Sequence, residues 1–399
     1  MNKPAILFIT SYANWPLTDG KRQRTWFLLK ALAVKYTVDI LYIGFPQELA
    51  AVERERCGVR AIYSIDLTDS KFLQPGYPSF LMSKIQQTEK AAFLQATREL
   101  FDQLYRENSY SFVFSRYISP IFALPLERQF TIVCDIDDVY YEAQQTKIRK
   151  EKRFLQRLKL QLFYYIGTTQ VEKVMQRIQL SLVVKKSDTR YPGLAGALCV
   201  PNLPFGHYIE NTPQFVITPQ VPDTILTIGF IGKLSYGPNE NGLLDFITSV
   251  WQPLMEKGVP IRMLIAGSGD ISERLQQAIA STKGIKLLGF VTSSEKFWNA
   301  ISVLVVPVGE GAGSNIKIAE ALLYGKTIVA HPFASRGYEL FLNHPIFILP
   351  LNNEHWKKEL HNLATQPPLP DAIVAQKAKT VFDLENWKTS LLQTLSQFD

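Results

Sequence analysis

From Gly309 to Pro332 the chain reads GEGAGSNIKIAEALLYGKTIVAHP, a glycine-rich turn set against the start of a helix. The apolar run SVLVVPV, Ser302 to Val308, precedes it and has the composition of a strand buried on both faces. Gly309, Gly311 and Gly313 let the backbone come close to a ligand. Ile316, Ile318, Ala319, Leu322 and Leu323 recur at roughly helical spacing, which puts the helix start near Ser314 and Asn315. Unpaired N–H groups and the positive end of the helix dipole at such a start suit an anion, a phosphate or nucleotide above all. Lys317 adds a full charge one turn in, and Glu320 follows on the same face. The plain alternative for these two is a surface ion pair at helical spacing.

Other charged residues fall where strands should end. Lys233 follows the apolar run TILTIGFIG, at the carboxyl end of a strand, where ligands of open α/β folds bind; otherwise it is a solvated surface lysine. Arg116 closes YSFVFSR in the same way. The run CDIDD, Cys134 to Asp138, ends another buried strand and offers Asp135 and Asp137 to a divalent cation, or Asp137 and Asp138 as helix caps. His207, His331, His344, His355 and His361 have no metal-ligand spacing; His331, after an expected strand, reads as a surface or core residue, with a place near the cleft as its alternative. There is no GxSxG elbow and no P-loop, and Gly267 to Gly269 reads as a turn.

Repeated strand and helix patterns must position these groups. Strands are expected over 5–10, 36–44, 59–66, 110–115, 130–136 and 180–184, with helices over 21–35 and 85–107. A proline-rich stretch with little periodicity, about 201–222, reads as a linker. The alternation then restarts with TILTIGFIG, a helix over 239–257, PIRMLIAG, a helix over 271–282, GIKLLGF, a short helix near Phe297, and SVLVVPV. Two successive nucleotide-binding-like halves follow from this, and 372–398 reads as two closing helices that return to the first half.

Composition bounds the class. The 399 residues suffice for two cores, and 46% hydrophobic content excludes general disorder. No apolar run approaches the roughly 18 to 20 residues that span a bilayer. The start MNKPAILFIT runs straight into a strand pattern rather than a cleavable signal, so a cytoplasmic protein is expected. Cys57, Cys134 and Cys199 are scattered and odd in number, which speaks against a disulfide framework and for buried thiols. A net charge of +7 favours anionic partners: nucleotide, nucleic acid or acidic lipid headgroups.

Taken together, IGFIGKLSYGPNENGLLDF, RMLIAGSGD, IKLLGFV and GAGSNIKIAEALLYGKTIVA resemble, in order and spacing, the donor half of the family 4 glycosyltransferases. ILFITSYANWPLTDGKRQR is similar, more distantly, to the first strand and glycine-containing loop of that family. The resemblance implies an α/β protein of GT-B fold, with two Rossmann-like domains facing each other across a cleft. It assigns residues 1–203 to the acceptor side and 204–383 to donor binding, with a C-terminal helix, 384–399, packed back on the first domain.

The resemblance also implies site residues. Lys233 contacts the donor diphosphate, Gly313, Ser314 and Asn315 supply loop amides, Lys317 assists, and Glu320 accepts the ribose hydroxyls. Gly20 belongs to the loop that approaches the donor from the first domain. Two positions depart from the family pattern: Ala312 replaces a glutamate near the sugar, as in a subfamily with a GxG-type loop, and Asn239 replaces a second phosphate-binding lysine. Arg22 and Arg24 are then candidates for phosphate neutralisation; their alternative is a solvated first helical turn. Asp137 falls where the family places a histidine facing the donor sugar and is the catalytic candidate, with Asp135 and Arg116 as cleft candidates. The DxD pattern binds metal in the other glycosyltransferase fold; here no metal is expected.

The function so implied is a retaining, metal-independent glycosyltransferase with a UDP- or GDP-linked sugar as substrate and no cofactor. Its acceptor is a glycan or a lipid-linked molecule in polysaccharide or glycoconjugate assembly. The alternatives are a nucleotide-sugar epimerase of GT-B fold, or a silent nucleotide-sugar-binding scaffold. Nucleic acid is not an expected partner. An anionic membrane surface is one candidate partner for KIRKEKRFLQRLKLQLFYY, 147–165, read as a basic amphipathic helix, which would place the protein at the inner face of the membrane. The other reading packs its stripe, Ile148, Leu155, Leu158 and Leu162, on the first domain.

Overall fold

The computed structural model describes residues 3–11, 17, 19–44, 58–65, 83–204, 208, 225–291, 294–311 and 313–399. Ala312, most of the proline-rich stretch and much of the loop after the first strand lie outside the described residues. The chain divides into two compact units: Met1–Pro201 with Leu384–Asp399, and Asn202–Asp383.

The first unit is built on β1 (Ala5–Thr10), β2 (Thr37–Ile43), β3 (Val59–Ile65), β4 (Phe112–Arg116), β5 (Ile132–Ile136), β6 (Leu180–Val183) and β7 (Leu198–Cys199). They pair in parallel in the order β3-β2-β1-β4-β5-β6-β7. Parallel strands covered on both faces need apolar side chains at successive positions, and Ile6, Leu7, Phe8 and Ile9 are fully buried. Phe8 of β1 stacks on Phe114 of β4 at 5.4 Å between ring centres. The order reverses between β1 and β4, which makes the carboxyl ends of these strands the natural ligand edge.

Helix α1 (Gly20–Lys35) is capped by Asp19, which accepts from the Arg22 amide at 3.1 Å. Helix α2 (Lys84–Asn108) begins with a reciprocal capping box between Ser83 and Gln86. Two helices, α3 (Tyr140–Lys150) and α4 (Phe154–Met175), stand where one was expected across 147–165. Arg153 turns onto Glu151 at 3.1 Å, and Glu151 and Arg153 both have extended backbone, so the helix breaks between them. The reading that packs the stripe on the first domain fails for Leu155, Leu158 and Leu162, which face outward, while Ile148 is half-buried. Cys134 is buried, but Cys199 is exposed, against expectation.

The second unit has β8 (Leu226–Ile231), β9 (Ile261–Ala266), β10 (Ile285–Gly289), β11 (Val303–Val306), β12 (Thr327–Ala330) and β13 (Phe347–Ile348). Their order is β10-β9-β8-β11-β12-β13, again all parallel, with the reversal between β8 and β11. The helices are α5 (Gly237–Phe246, continued to Glu256), α6 (Glu273–Ser281), α7 (Ser294–Ala300), α8 (Ile316–Leu323), α9 (Asn353–Thr365) and α10 (Ala372–Val381). Gly242 of α5 packs where a Cβ would lie 2.4 Å from the Pro307 carbonyl oxygen, so α5 lies tightly against the loop that follows β11.

The last helix, α11 (Leu384–Leu395), belongs to the first unit. Trp387 Nε1 donates to the Pro201 carbonyl at 3.0 Å. Tyr36 donates its hydroxyl to Asp399 at 2.8 Å, and Lys35 pairs with the same carboxylate.

Candidate functional site

In the second unit the turn after β8, the turn after β9 and the glycine-rich turn after β11 come to one edge of the sheet. Their approach depends on missing side chains. A Cβ on Gly267 would sit 1.8 Å from the Gly232 oxygen, and one on Gly269 would sit 2.2 Å from Ser235 Oγ. The short GSG stretch is therefore more than a turn: it lets the loop that carries Lys233 lie directly on β9. Leu234 closes the contact by donating its amide to the Ser268 oxygen at 2.7 Å.

Lys233 is exposed at this edge. Its carbonyl accepts from Asn239 Nδ2 at 2.8 Å, which fixes the loop to the first turn of α5. Asn239 is buried and spends its other end on Lys317, whose Nζ donates to Oδ1 at 3.1 Å. The Lys317 ammonium also lies 4.1 Å from the Phe230 ring centre. A Cβ on Gly232 would come within 2.9 Å of that ammonium, so glycine there leaves room for it. Burial pushes the Lys317 pKa down to about 7, while Glu320 works in the opposite direction. Lys317 is not a solvated surface lysine: it is drawn inward toward β8, with the half-buried Glu320 one turn on.

The start of α8 is held from several sides. Asn315 donates Nδ2 to the Ala334 oxygen at 3.1 Å, and its own carbonyl accepts from Tyr338 Oη at 2.7 Å. Burial raises the Tyr338 pKa well above the usual tyrosine range, so the hydroxyl keeps its proton. Ser314 Oγ accepts from Asn202 Nδ2 at 3.1 Å. Gly311 and Gly313 have φ of 111° and 74°, the left-handed region that favours glycine. Glu310 accepts from Asn241 at 3.0 Å.

His331 follows β12 and lies beside this turn. Its Nδ1 accepts from the Phe333 amide at 3.0 Å, and a Cβ on Gly309 would lie 3.4 Å from Nε2. Burial lowers its pKa, which keeps the ring neutral near pH 7. Only its place after a buried strand signalled this position in the sequence. Tyr338 gave no signal at all, because it acts from a loop beyond β12.

In the first unit the acids and arginines have found each other. Arg24 is completely buried, neither a solvated helical turn nor an exposed phosphate clamp. Its Nη2 and Nε bind the two oxygens of Asp135 at 2.6 and 2.9 Å, and Nη2 and Nη1 cap the Val200 and Pro201 carbonyls. Arg116 Nη1 makes an ion contact with Asp135 at 2.8 Å, and Nη2 donates to Asp137 at 2.8 Å. Burial works against the Arg116 charge, but Tyr117, Asp135 and Asp137 outweigh it and hold its pKa above the usual value. With two arginines on its carboxylate, Asp135 is a structural anion here rather than a cleft residue or metal ligand.

Asp137 and Arg116 stand at the ends of β5 and β4, beside Tyr117, a non-glycine residue with φ of 72°. Such backbone is costly for a bulky side chain and is kept by its surroundings: Arg116 stacks on the Tyr117 ring at 4.0 Å and bonds its hydroxyl at 3.0 Å. Gly20 opens α1, Arg22 stays half-buried beside Asp19, and Lys21 pairs with Asp138 at 3.0 Å.

Residues 225–364 match the model of the family described as glycosyl transferases group 1. The second unit carries a glycosyltransferase domain. Over its whole length the chain is similar in fold to the sucrose-phosphate synthase of Thermosynechococcus elongatus, at 13% identity, with 99% of each chain covered and a TM-score of 0.64. A glycosyltransferase from Rickettsia africae ESF-5 gives 0.63 at 13% identity, covering 100% of this chain and 99% of that one. HepE of Anabaena, solved in complex with UDP-glucose, gives 0.61 at 12% identity, covering 98% of this chain and 99% of that one. What the chain shares with them is the GT-B fold of two Rossmann-like domains. No curated protein matched the sequence. Lys233, Asn239, Ser314, Asn315, Lys317, Glu320 and His331 all lie inside the glycosyltransferase domain.

Proposed function

We propose that the chain is a retaining, metal-independent family 4 glycosyltransferase that takes a sugar from a UDP- or GDP-linked donor. The observation that carries this reading is the convergence of Lys233, Lys317 and the start of α8 at the switch point of the second sheet, with Glu320 one turn away. Loss of the sugar leaves negative charge on the nucleoside diphosphate, so catalysis needs cations and N–H dipoles fixed before the bond breaks. Lys233 supplies an exposed charge. Lys317 supplies one held by Asn239, and the amides after Gly313 supply the dipoles. These two lysines stand in for the divalent ion that other sugar transferases place on the diphosphate, which is the support for metal independence. Glu320 accepts from the vicinal ribose hydroxyls. Asp137, fixed by Arg116, binds a sugar hydroxyl. Retention and a role in polysaccharide or glycoconjugate assembly, with a glycan or a lipid-linked molecule as acceptor, rest on the family resemblance.

Incubation of the purified protein with UDP- and GDP-sugars and a set of soluble and lipid-linked acceptors, with and without chelator, tests this reading. Transfer with retained anomeric configuration that survives chelation supports it. An inverted product, or activity lost to chelator and restored by manganese, contradicts it. Epimerised donor, or binding without turnover, replaces it with an epimerase or a scaffold.

A further inference from the structure

Helix α4 carries apolar residues on two opposite faces. Its inner face holds Gly167, Val171, Val174 and Met175 in the first unit, and Tyr164 docks it through a stack on Tyr140 at 6.4 Å and a hydrogen bond from Gln145 at 3.1 Å. Its outer face presents Phe154, Leu155, Leu158, Leu162 and Tyr165, exposed by 78%, 79%, 54%, 48% and 73%. At 100° per residue these five fall within an arc of about 100°, and the stripe runs about 18 Å along the helix. Five large apolar side chains in one contiguous exposed stripe need a partner, whereas the same residues scattered singly would need none.

The charge around the stripe says which partner. Lys147, Arg149, Lys150, Lys152, Arg153, Arg157 and Lys159 are all exposed. Glu151, the sole acid between Lys147 and Lys159, is already engaged by Arg153. Arg157 and Lys159 flank the stripe on either side, and Lys159 lies over the Phe163 ring at 5.5 Å, its stem along apolar surface and its ammonium free to reach upward. A second copy of the same face would set these cations against their own kind. An anionic bilayer answers both features: its headgroups attract the cations and its acyl boundary takes the stripe, with Phe154 and Tyr165 at the two ends. No helix among the described residues is long and apolar enough to cross a membrane, so the contact is one of lying on the surface.

We infer that α4, with the basic end of α3, docks the protein on an anionic membrane surface. The inference follows from the exposed face alone and stands whether or not the second unit transfers sugar. The full chain should sediment with phosphatidylcholine vesicles as the phosphatidylglycerol fraction rises, and should be released by salt. Leu158→Glu with Leu162→Glu, both outward-facing and so compatible with the fold by circular dichroism, should lower vesicle binding about tenfold or more. Arg149→Glu, Lys152→Glu and Arg153→Glu together should abolish the dependence on anionic lipid. Glu320→Gln, aimed at the donor site, should bind vesicles like wild type, which separates this inference from the reading of the sugar site. Absent binding, binding equal on neutral vesicles, or binding untouched by the leucine substitutions overturns it. So does a dimer in light scattering that those substitutions dissolve, since a second copy would then cover the stripe.

Discussion

Lys317 Nζ donates to Asn239 Oδ1 at 3.1 Å, and through that bond the start of α8 is tied to the turn that carries Lys233. A phosphate-binding lysine is what the family resemblance would place at Asn239. A third lysine in the same small volume would add like-charge repulsion to the burial cost already evident at Lys317. The neutral amide instead orients one cation and anchors the loop of the other.

Burial of Lys317 makes stability depend on pH. Its folded pKa of about 7 lies below the usual 10.5, so between those values the unfolded chain binds more protons than the folded one. Stability should therefore rise as pH climbs from about 7 toward 10, and the burial penalty should be fully present below 7. Lys317→Met should raise the melting temperature at pH 6, by about 1 kcal/mol or more of added stability, and flatten this pH dependence. Identical slopes for both proteins would show that the ammonium is solvated.

Asn239→Ala should leave the Lys233 turn loose and the Lys317 ammonium without its acceptor. We expect about 1–2 kcal/mol of lost stability from the two hydrogen bonds. Affinity for nucleoside diphosphate should fall about tenfold, and affinity for the nucleoside should change little. Differential scanning calorimetry and titration of both ligands check the two parts separately.

Glu320→Gln keeps the shape of the side chain and removes its charge. Nucleotide affinity should drop by about 1–3 kcal/mol, with the ribose form losing more than its 2′-deoxy analogue. Equal losses for the two sugars would place Glu320 away from the ribose.

In the first unit, Arg24→Met removes the bidentate partner of a fully buried carboxylate and leaves Asp135 with Arg116 alone. The expected cost is about 3–5 kcal/mol, confined to the unfolding transition of that unit. Adding Asp135→Asn should recover part of it, because the uncompensated charge is then gone. A surface-like loss below about 0.5 kcal/mol would deny that the pair is buried.

The fold was legible because buried parallel strands announce themselves as apolar runs, as β1, β2, β4 to β6, β8, β9, β11 and β12 do, while the partly exposed edge strands β3 and β10 show only a mixed pattern. The two-residue strands β7 and β13, and α9 in a polar stretch, lack that signal. Lys233, Asn315, Lys317 and Glu320 could be singled out because a glycine turn before an apolar helix is a local pattern. The buried Arg24–Asp135–Arg116 system joins residues far apart in sequence, and nothing near Arg24 distinguishes it from Arg22. The stripe of α4 was legible as Leu155, Leu158 and Leu162, but which way it faces was not: a helix that is apolar on both sides does not say which side turns inward.

The central claim, that phosphates bind at the start of α8 with Lys233 and Lys317, is tested most directly by calorimetric titration with UDP, GDP, uridine and guanosine. One nucleoside diphosphate should bind about a hundredfold more tightly than its nucleoside, a difference of about 2.7 kcal/mol. That gap should shrink as pH rises above 7, where Lys317 loses its proton, and should shrink again in Lys233→Ala. Equal affinity for diphosphate and nucleoside, or a gap unmoved by both pH and Lys233→Ala, would contradict it.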